Sequence, residues 1–199
     1  MGTPHFAVEA LKTIHESNYQ IVGVVCPPDK PGGRGQKLKS CQVKQYAVSQ
    51  NLKVLQPEKL KSHQFLSKLT NLNADLFIVV AFRMLPKEVW SIPKYGTFNI
   101  HASLLPQYRG AAPINWALIN GEKKTGVTSF LIDEQIDTGA ILLHKDCEIR
   151  ENENVGELHD RLMLMGAELT IETCEGIFNN TIKPRIQQNS FELKNAPKL

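Results

Sequence analysis

No stretch of this chain stays apolar for the roughly 18 residues that a membrane-spanning helix requires, so no membrane partner is expected. The opening residues also lack the basic-then-apolar pattern of a secretory signal, and a cytoplasmic protein is expected. Cysteine is scarce. Cys26, Cys41, Cys147 and Cys174 form no C-x-x-C pair, which argues against a zinc site and for reduced thiols, and no metal is expected. Charge is nearly balanced, with 23 Lys and Arg against 20 Asp and Glu, a net +3. Such a balance gives no global field to gather nucleic acid, so any RNA contact must come from a local patch. Neither G-x-G-x-x-G nor G-x-x-x-x-G-K-[ST] occurs, which removes a dinucleotide fold signature and a P-loop.

What is present suits one globular domain, or one domain and a tail: 199 residues, 42% hydrophobic and 22% charged, enough to bury a full core. Gly2-Thr3-Pro4 precedes Ala7, Ala10, Leu11 and Ile14, a helical face with Thr3 and Pro4 as its expected N-cap and N1 pair. Ile21–Val25 and Leu76–Val80 are β-rich runs without polar alternation, as in strands covered on both faces. Gly96–Ile100 predicts a further strand, and segments 125–132 and 140–149 two longer ones. Helices are expected near 42–50, in the sixties, near 113–120, and along the stripe Val155, Leu158, Leu162, Met165 and Leu169, which reads as core. Strands alternating with helices predict an α/β fold with an open, mostly parallel twisted sheet and helices on both faces. Ligands of such sheets sit beyond the carboxyl ends of the strands.

One constellation carries chemistry. Asn99 and His101 flank Ile100 at a strand end, so alternation points both side chains the same way. Downstream, Asp133, Asp137 and Gly139 punctuate the loop of DEQIDTGAIL, residues 133–142. An amide, an imidazole and a carboxylate brought together can stabilise an oxyanion and move a proton. A strand-end histidine that is merely hydrogen-bonded or solvated is the plain alternative.

Asn99-x-His101-x-Ser103-Leu104-Leu105-Pro106, followed by Asp133-x-x-x-Asp137-Thr138-Gly139, resembles the signature of the folate-dependent formyltransferases. GTPHFAVEAL at 2–11, PDKPGGRGQKL at 28–38, Arg109-Gly110-Ala111-Ala112-Pro113-Ile114 and Thr125-Gly126-Val127-Thr128 narrow the likeness to the branch that acts on methionyl initiator tRNA. The resemblance covers about residues 2–186 and implies a Rossmann-like formyltransferase fold.

The resemblance implies an activity: the formyl group of 10-formyltetrahydrofolate passes to the α-amino group of methionyl initiator tRNA. It assigns catalysis to Asn99, His101 and Asp137, and a loop or strand-end role to Asp133. Folate contacts are expected from Ser103, Leu104, Leu105 and Pro106, with a second wall including Phe82 and Met84, where the family's usual Tyr-Gly pattern is replaced. Lys30, Arg34, Lys37 and Lys39 form the clearest basic cluster, and the likeness of their loop to the family's tRNA-contacting loop selects Arg34 and Lys37, with Arg109, as tRNA contacts. A monomer is expected. Residues 1–186 are expected to form the catalytic domain, and 187–199 to begin a linker or dock as a terminal segment. The family's first apolar strand, which precedes Gly2-Thr3-Pro4, and its C-terminal β-barrel are expected to be absent. Missing that strand should leave its two neighbours unpaired. A 10-formyltetrahydrofolate hydrolase, a formyltransferase with another amine acceptor, and a non-catalytic folate- or RNA-binding remnant are the alternatives. The basic loop favours the tRNA acceptor.

Overall fold

The strand-and-helix order expected from the sequence is present in the computed structural model, which describes residues 1–32, 37–188 and 193–199. The chain divides into two units, Met1–Thr97 and Phe98–Leu199.

The first unit runs α1 (His5–His15), β1 (Val24–Val25), β2 (Lys30–Gly32), β3 (Lys37–Lys39), α2 (Gln42–Ser49), β4 (Val54–Leu55), α3 (His63–Thr70), β5 (Phe77–Val80) and α4 (Lys87–Trp90). The run Ile21–Val25 forms a strand only at Val24–Val25, where the backbone pairs in parallel with β4. Val24 N donates to Lys53 O at 2.8 Å and Cys26 N to Leu55 O at 3.1 Å, which fixes that register. Met1 and Gly2 stand between β1 and β5. Gly2 N donates to Val25 O at 3.1 Å, and Val80 N to Met1 O at 2.9 Å. The neighbours of the expected first strand are therefore bridged over these two residues. The Met1 α-amino group donates to Ile78 O at 2.6 Å. Its burial disfavours the ammonium form and lowers it to about 5.

The start of α1 differs from expectation by one residue. Pro4, extended at ψ 179°, is itself the N-cap and no side chain caps the helix, so Thr3 is not the cap. Phe6, Ala7 and Ala10 form its buried face. In α3, Ser62 does cap, its hydroxyl accepting from Phe65 N at 3.3 Å. The segment expected as a plain loop contains an antiparallel hairpin, with Lys30 opposite Lys39.

The second unit carries β6 (Thr97–His101, whose first residue closes the first unit), β7 (Arg109–Gly110), α5 (Pro113–Ile119), β8 (Lys124–Leu131), β9 (Ile141–Glu148), α6 (Val155–Phe178) and β10 (Asn195–Ala196). β8 lies antiparallel to both β6 and β9, so the α/β architecture is mixed, with parallel pairing in the first unit and an antiparallel ladder in the second. The long helix α6 is set by a capping box. Asn154 Oδ1 accepts from Gly156 N and Glu157 N at 2.9 and 3.1 Å, and Glu157 Oε2 accepts from Asn154 N at 2.9 Å. Its buried stripe holds Leu158, Leu162 and Leu169 as expected, but Val155 is 43% exposed, Met165 is only half-buried, and Met163 is buried. Val155 sits at the first helical position, before the stripe turns onto the sheet. Thr173 Oγ1 ties the stripe to β8 by donating to Ser129 Oγ at 2.8 Å. Among the described residues no helix is long and apolar enough to cross a membrane.

All four cysteines are free. Burial pushes the Cys26 and Cys174 thiols up to about 12, which keeps both protonated and unreactive at neutral pH.

Candidate active site

β6 positions two of the expected site residues. Asn99 stands opposite Phe130 and His101 opposite Thr128 on β8, so the two share one face of the ladder, while Phe98 and Ile100 are buried on the other. Among the described residues, Asn99 Oδ1 is a buried side-chain oxygen with no hydrogen-bond partner. A buried amide oxygen left unsatisfied in this way costs about 1–3 kcal/mol, which marks the position as one where a water, an ion or a ligand can complete the bonding.

His101 is buried, with its two ring nitrogens in different surroundings. Nε2 lies 2.8 Å from Tyr108 O. A carbonyl can only accept, so Nε2 carries the proton. Nδ1 lies 3.8 Å from Asp137 Oδ2, within ion-pair distance and slightly too far for a direct hydrogen bond. The ring meets Phe130 edge-on, with centroids 6.5 Å apart. Tyr108 has φ 60°, which turns its carbonyl to the imidazole. Its N–H donates to Lys194 O at 2.6 Å and its hydroxyl to Glu122 Oε1. The Lys194 ammonium, with Nζ 2.5 Å from Oε1, and the Tyr108 hydroxyl hold the Glu122 carboxyl below its ordinary range.

Asp137 is held on the left-handed side of the backbone map at φ 55°. Its Oδ2 accepts from Gly110 N at 2.9 Å. The loop around it admits little change, because a Cβ on Gly139 would lie 1.6 Å from Leu131 O. Asp133 turns back on its own loop, where Oδ1 accepts from Gln135 N at 3.0 Å and from Thr138 Oγ1 at 2.8 Å. The two aspartates thus differ in where they face: one toward the imidazole, the other toward its own turn.

The stretch after His101 is pinned by backbone-directed bonds. The Ser103 hydroxyl donates to Gln107 O at 2.7 Å, and Thr128 Oγ1 donates to Ser103 O at 2.7 Å while accepting from Leu105 N at 3.2 Å. Leu105 is buried, Leu104 and Pro106 are half-buried, and Leu104 packs over Gly126, where a Cβ would meet it at 2.7 Å. Arg109 is oriented by a neighbouring side chain. Its Nε and Nη2 both donate to Gln187 Oε1, at 3.1 and 2.7 Å.

Phe82 and Met84 belong to the first unit. There Arg83 stacks over Phe82 at 5.7 Å and donates to the carbonyls of Glu58 and Pro57, while Met84 is 64% exposed. Arg34 lies outside the described residues. Lys37 belongs to β3 by its backbone, opposite Gly32.

The structure therefore brings Asn99, His101 and Asp137 into one unit, with His101 and Asp137 adjacent. It adds participants that sequence reasoning missed: the Tyr108 carbonyl, the Gly110 N–H and the Gln187 amide. The first two are backbone groups, for which only the glycine in Arg109-Gly110 gave a hint. Gly110 has φ 125°, and a Cβ there would lie 2.5 Å from Ala196 O.

A family model described as formyl transferase matches residues 1–174. The chain belongs to the formyl transferase family. It is 57% identical over 199 residues to a methionyl-tRNA formyltransferase of Flavobacterium johnsoniae, and 54% identical over 202 residues to that of Bacteroides thetaiotaomicron. Each match covers 100% of this chain and 63% of the relative, so the chain spans less than two thirds of the length of these proteins. Among solved structures it resembles the N-formyltransferase of Helicobacter canadensis in complex with folinic acid and dTDP-3-aminofucose, with TM-score 0.71 and 25% identity, covering 99% of this chain and 69% of that one. Glycinamide ribonucleotide transformylase 1 of Symbiobacterium toebii shares the fold at TM-score 0.73 and 18% identity, covering 94% of this chain and 91% of that one. The Asn99, His101 and Asp137 cluster is thus set in a formyl transferase fold.

Proposed function

We propose that this chain carries the catalytic site for moving the formyl group of 10-formyltetrahydrofolate to the α-amino group of methionyl initiator tRNA. The observation that carries the proposal is the facing of His101 Nδ1 and the Asp137 carboxylate at 3.8 Å, beside an Asn99 amide whose buried oxygen lacks a partner. The choice of acceptor is supported by identities of 54–57% to methionyl-tRNA formyltransferases across the whole chain. The choice of a folate donor is supported by the folinic acid of the Helicobacter canadensis enzyme.

The chemistry follows from the groups. A free α-amino group titrates near 7.7, so a useful fraction is neutral at pH 7. Its lone pair attacks the formyl carbon, giving a tetrahedral oxyanion and a cationic nitrogen. Asn99 donates to the oxyanion through its amide N–H, an interaction worth roughly 3–4 kcal/mol. His101, with Nε2 protonated against Tyr108 O, offers a bare Nδ1 to receive the ammonium proton, directly or through one water. Asp137 stabilises the imidazolium that results, and the protonated ring then adds to the oxyanion's stabilisation. Collapse breaks the bond to N10 of the folate, which takes the proton from the His101 imidazolium, directly or through one water, as tetrahydrofolate leaves. Ser103, Leu104, Leu105 and Pro106 are the proposed folate contacts. Arg34 and Lys37 are the proposed phosphate contacts to the acceptor, and Arg109 a third.

The test is formyl consumption by the full chain with and without methionyl initiator tRNA. Consumption that depends on the tRNA and yields N-formylmethionyl-tRNA supports the proposal. Equal consumption without the tRNA would assign the site to hydrolysis. Folate binding with no turnover in either case would leave a binding module.

A further inference from the structure

We infer that Gln187 is a positioning residue of this site, the side chain that locks the Asp137 loop and Arg109 together. The inference rests on the formyl-transfer reading above. Gln187 is 8% exposed, and both ends of its amide are fully used. Oε1 accepts from Arg109 Nε and Nη2 at 3.1 and 2.7 Å, and Nε2 donates to Asp137 O at 3.0 Å and to Gly139 O at 2.8 Å. A guanidinium can only donate and a carbonyl can only accept, so the amide has a single orientation that satisfies the cluster. No carboxylate or ammonium could replace it, since the position needs two acceptor sites at one end and two donors at the other.

The consequence falls on Asp137. Its φ of 55° is a conformation that non-glycine residues rarely hold without support. Gln187 ties the carbonyls of Asp137 and Gly139, bracketing the turn, while Gly110 N holds the carboxylate from the other side. The tail that supplies Gln187 also grips the second partner of His101. Lys194 O accepts from Tyr108 N, Lys194 N donates to Gln107 Oε1 at 2.9 Å, and β10 pairs in parallel with β7. Ala196 O accepts from Ala111 N and Ala112 N at 2.7 and 3.1 Å, next to Gly110. Both groups that face the imidazole nitrogens, the Tyr108 carbonyl and the Asp137 carboxylate, are therefore set from behind by Gln187, Lys194 and Ala196, and Gln187 is the buried link to the acid.

Two variants separate the branches. Gln187→Glu keeps an acceptor for Arg109 and loses both donors to the loop. Gln187→Leu loses both branches. Loosening the loop by even an ångström is expected to lower kcat about 10²-fold. Gln187→Glu should show that loss with KM for methionyl-tRNA near wild type. Gln187→Leu should show it with KM also raised, because Arg109 loses its two bonds to Gln187. A readout independent of turnover is the ring 15N spectrum of His101 in the full chain, where the Nδ1 resonance should move in both variants. If Gln187→Leu fails to give a cooperative melt, Gln187→Glu carries the test by itself. A folded Gln187→Glu chain with wild-type kcat, KM and Nδ1 resonance overturns the inference. If the wild-type chain transfers no formyl group to methionyl-tRNA and Gln187→Glu still moves the Nδ1 resonance, the acceptor assignment fails and the positioning role stands.

Discussion

Two loops of this chain are built on opposite plans. The segment between β1 and α2 carries the basic cluster and is tied down at its base, where Asp29 accepts from Lys44 at 2.5 Å and from Gln56 at 2.8 Å. Beyond that base the hairpin offers Lys30, Leu38 and Lys39 to solvent, Leu38 being 72% exposed. The segment between β8 and β9 is pinned along its length, by Thr138 on Asp133, by Gly110 on Asp137, and by Gln187 on the carbonyls of Asp137 and Gly139. Charge held out on an exposed hairpin gives salt-sensitive affinity for a polyanion. Charge fixed to a fraction of an ångström can stabilise a transition state. Under the proposed function, capture of the acceptor falls to the first loop and chemistry to the second.

The largest effect is expected at His101. His101→Ala should lower kcat about 10³-fold, with folate affinity within a few-fold of wild type by equilibrium titration. An unchanged kcat would take the imidazole out of the mechanism. Asp137→Asn keeps an oxygen for Gly110 N and removes the charge, so a loss of about 10²-fold in kcat with little change in melting is expected. A variant that melts far lower with normal kcat would mark Asp137 as structural. Gly110→Ala should cost about 2 kcal/mol, because the alanine inherits φ 125° and its Cβ meets Ala196 O. Chemical denaturation would measure it, and an unchanged midpoint would show the tail contact to be weak. Asp133→Ala should cost about 1 kcal/mol through its lost turn bonds and leave kcat nearly intact, in contrast to its neighbour four residues on. The smallest effect is expected at Arg34→Ala, which should weaken methionyl-tRNA binding and reduce the slope of log K against log salt by about one, with folate binding unchanged.

Much of this was legible in the sequence because it obeys simple periodicity. Alternation placed Asn99 and His101 on one face of β6, and the 3.6-residue stripe placed Leu158, Leu162 and Leu169 in the core. The failures came where non-local bonds decide. Ile21–Val25 looked like a five-residue strand, yet only Val24–Val25 finds a partner, since strand length depends on what lies alongside. The basic segment read as a loop because its hairpin pairs lysines and a proline, residues with weak strand preference. Gln187 is one of several polar residues in a row, and nothing in that composition distinguishes a buried four-bond amide from the start of a linker. The Tyr108 carbonyl and the Gly110 N–H carry no side-chain signature at all.

A double-mutant cycle on His101→Ala and Arg34→Ala, with kcat and KM measured for methionyl-tRNA formylation at fixed salt, tests the division between capture and chemistry most directly. Independent factors are expected: the double variant shows the kcat of His101→Ala and the KM of Arg34→Ala. A drop in kcat from Arg34→Ala by itself, or a strong departure from multiplied factors in the double variant, would contradict this and place the basic loop in the chemical step.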